Sequence, residues 1–155
     1  MATRMPPKAS AIYRDYLNAV ALQGQATAEA AGLNATDWHA LSMLSLKGRL
    51  TSGELSGLTG LTTGATTRLI DRLERSGHVR RVADPADRRR VLVEQVPGSL
   101  DLDTVVGPAR KHLGDVLSGF TAGELDVLFT YFKRAAPAFR AAAEEIRRNR
   151  ARDSR

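Results

Sequence analysis

The 155-residue chain contains no cysteine, and aromatic residues make up only 5% of it. Without cysteine there is no disulfide framework, no thiolate zinc site and no thiol redox switch. No window approaches the ~18 continuous apolar residues of a membrane span, and the opening "MATRMPPKASAIYRDYL" has no apolar run of the signal-peptide type. These absences predict a soluble, cytoplasmic protein with no membrane partner. Gly53, Gly57, Gly60 and Gly64 form no phosphate loop, because no Gly-x-x-x-x-Gly-Lys follows a strand pattern. No nucleophile stands beside a base, and His39, His78 and His112 lack metal-ligand spacing. The expectation is a protein that is not an enzyme, with no cofactor and no metal site.

What the chain does have is a basic surplus. Its 23 Lys and Arg against 17 Asp and Glu give a net charge of +6, which favours a polyanionic partner such as nucleic acid or an acidic membrane surface. The length suits one core, so a single unit over residues 1–155 is expected.

Helical periodicity dominates. Ile12, Tyr13, Tyr16, Leu17 and Val20 mark a first amphipathic helix, and Trp38, Leu41 and Leu44 a second, capped by Asn34 or Thr36 and stopped by Gly48. Thr51-x-x-Glu54 is a capping-box pattern opening a short helix that ends at Gly60. Thr62 then caps a helix with Ala65, Leu69 and Leu73 on one stripe and Gly77 as its stop. Two short helices joined by a Gly-containing turn have the helix-turn-helix layout. "HVRRVA" and "RVLVEQV" follow as two strands around the polar turn "DPADRR". Beyond Pro97 two more helices are predicted, the second opened by Thr121 and Glu124 and bent or ended by Pro137. Asp101 and Asp103 read as capping residues at a helix start. The fold class is mainly α with a small β-hairpin wing: a winged helix-turn-helix flanked by N- and C-terminal helices.

Two constellations carry chemistry. On the helix after Thr62, Gly64, Thr67, Arg68, Asp71 and Arg75 lie opposite the apolar arc. A small, hydroxylated start lets the backbone approach a duplex, and Arg68 can fork onto a guanine edge or a phosphate. An ordinary solvent-facing helix would look similar. From Arg68 to Arg90 the chain carries eight arginines against four carboxylates, +4 in all, and an arginine on a hairpin tip can enter a minor groove. A charged tip that merely stays soluble is the plainer reading, and adjacency to the helix-turn-helix favours the other. Asp87 either starts the turn through its side chain or holds an arginine in one rotamer.

The stretch "LTSGELSGLTGLTTGATTRLIDRLERSGHVRRVADPADRRRVLVE", and above all Asp84-Pro85-x-Asp87-Arg88-Arg89, resembles the core of the multiple-antibiotic-resistance regulator (MarR) family over roughly residues 33 to 96. The resemblance implies a homodimeric DNA-binding regulator, expected to be a repressor relieved by a ligand. It places Thr62, Thr63, Gly64, Thr67 and Arg68 in the major groove of a pseudo-palindromic operator. Asp87, Arg88, Arg89 and Arg90 form the wing, with Arg89 entering the minor groove. It further implies helices over 9–32 and 100–150 that pair two copies, with mobile tails at 1–8 and 151–155. A small aromatic effector would sit near Tyr13, Tyr16, Trp38 and His39, although aromatics at helical spacing are more often packing. Where the family often continues past the wing with Leu-Thr and a glycine, this chain reads "VEQVPGSLDLD". A winged-helix module that docks a protein instead of DNA is the contrasting class, and it would expose apolar anchors in place of arginines.

Overall fold

The computed structural model describes residues 6–153, the side chains of 102, 103 and 151 excepted. Six helices and three strands follow in the order α1 (Pro7–Ala30), α2 (Ala35–Lys47), β1 (Leu50–Thr51), α3 (Ser52–Thr59), α4 (Thr63–Arg75), β2 (Val79–Ala83), β3 (Val91–Gln95), α5 (Leu102–Leu117) and α6 (Ala122–Asp153). The chain forms two compact parts, one up to Gly107 and one from Pro108. No helix among the described residues is long and apolar enough to cross a membrane.

Local chemistry sets the boundaries in the first part. Asn34 caps α2 by accepting a hydrogen bond from the Asp37 amide at 2.9 Å, which decides between Asn34 and Thr36. Thr51 and Glu54 form a complete capping box on α3, and Gly60 ends that helix in the left-handed region at φ 70°. After α4 the His78 amide donates to the Leu73 carbonyl and the Gly77 amide to the Glu74 carbonyl. This six-to-one and five-to-two pair needs the left-handed φ of 76° at Gly77.

The sheet has three antiparallel strands in the order β1-β3-β2, with Leu50 opposite Val93 and Arg81 opposite Val93 from the other side. Sequence pattern predicts only the hairpin. At two residues β1 has no periodicity of its own, and pairing with β3 makes it a strand. Ala40, Leu41 and Leu44 of α2, Leu55 of α3, Leu69, Ile70 and Leu73 of α4, and Leu50, Val79 and Val93 of the sheet make one buried core.

Two expectations change. Pro137 neither ends nor breaks α6, which runs from Ala122 to Asp153. It lies on an exposed turn, where water can take the carbonyl that its missing N–H leaves free. The expected tails are already helical at Pro7, Lys8 and residues 151–153, while residues 1–5 and 154–155 lie outside the described residues. The apolar stripe of α1 is mostly exposed in the single chain, and only Thr27 and Ala28 of that helix are buried. At the start of α5, Asp101 caps as expected, its carboxylate accepting from the Thr104 amide at 3.1 Å and hydroxyl at 2.6 Å. The side chain of Asp103 lies outside the described residues.

Candidate nucleic-acid interface

The amino end of α4 is held by threonine hydroxyls. Thr62 accepts from the Ala65 amide at 3.3 Å, Thr66 donates to the Thr62 carbonyl at 3.0 Å and Thr67 to the Thr63 carbonyl at 3.1 Å. Thr66 is buried beside Leu69, Ile70 and Leu73, whereas Thr62, Thr63, Gly64, Thr67 and Arg68 are all exposed. The helix therefore presents a low, hydroxyl-rich face with one long cation. A Cβ at Gly64 would meet no atom within 4 Å, so nothing in the chain itself requires glycine there.

The wing tip is built by two aspartates. Asp84 accepts from the Ala86 amide at 2.9 Å and Asp87 from the Arg89 amide at 3.0 Å, two consecutive side-chain turns. The Asp84 amide donates to the Arg90 carbonyl at 3.0 Å, closing the loop. Asp87 also accepts from the Arg89 Nε at 3.4 Å, so both roles considered for it from sequence coexist geometrically. Arg89 nevertheless keeps 93% of its side chain exposed. Arg90 approaches Asp84 at 3.7 Å, and Arg88 has no ion pair among the described residues.

The eight arginines counted from Arg68 to Arg90 are not equivalent. Arg72 is bound by Asp37 of α2, with Nε at 2.8 Å and Nη2 at 2.5 Å from its two oxygens. Arg81 bridges Asp71 at 2.6 Å and also Glu74, tying β2 to α4. Arg80 pairs at 2.6 Å with Glu94, a nearly buried carboxylate that Arg49 grips from its other oxygen. Hydrogen bonds from Arg80 and then Arg49 hold the Glu94 carboxyl below its ordinary range. The hydrogen bonds that Arg72 donates to Asp37 and Arg81 to Asp71 push those two guanidinium groups upward in turn. These three arginines belong to the lobe's internal framework. Arg68, Arg75 and the tip arginines remain exposed on its outside, where the Arg75 Nε donates to the Asp71 carbonyl at 3.2 Å.

Sequence reasoning missed Asp37, Glu94 and Arg49. A carboxylate three residues after a capping Asn reads as a first-turn acid, and nothing local shows that its partner lies 35 positions on. The four residues expected around an effector are divided. Trp38 and His39 line a groove of about 550 Å³ between α1 and α2, together with Ala21, Gly24, Ala28 and Leu33, while Tyr13 and Tyr16 are not part of its wall. Of the other two histidines, His112 is exposed, and His78 keeps a buried Nδ1 with no hydrogen-bond partner.

This arrangement has relatives. The model of the MarR family matches residues 33–91, from the residue before the α2 cap to the first residue of β3. The chain is 36% identical over 124 residues to the uncharacterized HTH-type transcriptional regulator YcgE of Bacillus subtilis, covering 79% of this chain and 80% of that protein. It is 35% identical over 107 residues to the multiple antibiotic resistance protein MarR of Salmonella typhimurium, covering 68% and 74%. The solved structure of a MarR family protein from Bacillus stearothermophilus superposes with a TM-score of 0.64 at 25% identity, over 88% of this chain and 99% of that one. On the identity and coverage of these matches, the chain belongs to the MarR family of winged helix-turn-helix, DNA-binding transcriptional regulators.

Proposed function

We propose that the protein is a homodimeric, sequence-specific repressor that lays α4 in the major groove and its wing in the minor groove. Thr62, Thr63, Gly64, Thr67 and Arg68 would face base edges and phosphates, and Arg88, Arg89 and Arg90 would flank them, with Arg89 in the groove and Asp87 steering it. The observation that carries this reading is the division of the arginines. Arg72, Arg80 and Arg81 are held by carboxylates of neighbouring elements, whereas Arg68 and Arg88 have no ion pair among the described residues and Arg89, paired only within the tip with Asp87, is almost fully exposed. Gly64 adds support, because its bare backbone serves no packing need inside the chain and a side chain there would hold a duplex away.

Dimerisation is supported by the exposed apolar residues of α1, α5 and α6, among them Ile12, Leu113, Phe129 and Phe132. A two-fold pair would present two recognition helices one duplex turn, ~34 Å, apart, which fits a pseudo-palindromic operator. Occupying an operator that overlaps a promoter would block transcription. The α1–α2 groove at Trp38 and His39 is where a small aromatic effector would relieve that block.

The test is binding of the purified protein to its own upstream DNA and to a scrambled duplex across a salt series. Preference for the native sequence at every salt concentration is expected, together with a steep fall of both affinities as salt rises. Equal affinity for the two duplexes would refute sequence-specific regulation.

A further inference from the structure

Arg72 follows Arg68 by one turn of α4, and of the two only Arg68 falls on the outward arc read from the sequence. The structure separates them. The Arg72 guanidinium is forked onto the Asp37 carboxylate through two hydrogen bonds, and Asp37 keeps only 5% of its side chain exposed. The same carboxylate accepts a third hydrogen bond, from the Asn34 side-chain amide at 2.8 Å. This acid is not needed to cap α2, because the Asn34 side-chain Oδ1 already accepts from the Asp37 amide. Burying a carboxylate is costly without full pairing, so one held by three donors across two helices is a specified feature.

We propose that Asp37 is a positioning residue for DNA recognition: by gripping Arg72 it fixes the roll and height of α4, and with them the reach of Arg68, against the amino end of α2. The inference rests on the reading that α4 reads DNA. A planar fork fixes orientation as well as distance, which a point charge does not. The cleft beside this strut is lined by Asn34, Thr36, Leu61, Ala65, Arg68 and Arg72, so the DNA-facing arginine leaves α4 directly alongside it. Asn34 borders both this cleft and the α1–α2 groove. The strut therefore begins where that groove ends.

Electrostatics and positioning predict opposite signs for one substitution. Asp37→Asn removes a negative charge, so charge alone tightens binding to every duplex. Positioning predicts weaker binding to the cognate sequence only. In the experiment the full-length wild type enriches a duplex from a randomised pool, and affinities for that duplex and a scrambled one are compared for wild type, Asp37→Asn, Arg72→Lys and the double variant. Each single variant is expected to lose about tenfold on the enriched duplex and less than about twofold on the scrambled one, with unchanged far-UV circular dichroism. The double variant is expected to lose no more than the worse single, because both remove one interaction. Should Asp37→Asn fail to fold, Arg72→Lys decides, since it keeps the charge at a half-exposed position. Single variants that retain the wild-type ratio of the two affinities, or that tighten on both duplexes, overturn the positioning role. A wild type that enriches no sequence overturns the reading of α4 itself, and the positioning role with it.

Discussion

In the winged lobe Leu41, Leu55 and Ile70 are completely buried, whereas Ile12 of α1, Val116 of α5 and Ile146 of α6 keep 72%, 60% and 68% of their surface exposed. Both regions carry apolar residues at helical spacing. What differs is whether the same chain supplies a cover. In the lobe α2, α3, α4 and the sheet close on one another, which is how a helix with one apolar stripe becomes stable. The long helices carry a comparable stripe and leave much of it open, and a stripe of that extent marks an interaction surface. The contrast separates a lobe whose core closes within the chain from long helices whose apolar residues stay exposed, the surface that the proposed dimer would cover.

Substitutions can break that contrast at either end. Leu69→Ala, in the lobe, should cost about 2–5 kcal/mol of folding free energy, seen as a lower urea midpoint at every protein concentration. A concentration-dependent midpoint shift would show that the lobe too relies on a second copy. Phe129→Glu, on the open stripe of α6, should cost about 2 kcal/mol or more of dimer affinity, read by sedimentation as monomer at concentrations where the wild type is paired. Wild-type sedimentation of that variant would remove Phe129 from the interface. Arg89→Ala should weaken operator binding by ~1–3 kcal/mol and leave assembly unchanged; a titration that overlays the wild type would take Arg89 out of the groove. Thr51→Ala deletes the capping box of α3, with an expected loss near 1 kcal/mol in thermal unfolding and none in dimer affinity.

The last expectation concerns Glu94 and acid pH. Its folded-state pKa is depressed, so its contribution is fully present above the ordinary glutamate value and is lost as the pH falls through the lower folded value. Protonation there frees Arg49 and Arg80 together. Glu94→Gln should therefore flatten the acid limb of the stability profile, and an unchanged acid limb would show that other carboxylates control it.

Much of the lobe was legible because its signals are local. Thr51 with Glu54, Thr62 before Ala65, and Gly77 after α4 each satisfy backbone groups within a few residues, so the pattern and the structure coincide. The outward row from Thr62 to Arg68 was legible for the same reason, since helical phase alone separates it from Leu69, Ile70 and Leu73. Less legible was β1, which is a strand only through pairing with β3. Pro137 misled because a proline's cost depends on whether water can reach the carbonyl it frees. The charge surplus was visible, but its division into framework and free arginines was not.

By itself the amino-acid sequence determined where helices start and stop, which face of α4 is apolar, and that the wing ends in arginines, because caps, helical phase and turn chemistry act over a few residues. Only the tertiary structure decided that Arg72 binds Asp37, that Arg80 and Arg49 share Glu94, and that Arg81 spans Asp71 and Glu74. Those choices depend on which distant carboxylates the folded core brings within hydrogen-bonding distance, a matter no local pattern of the chain can express.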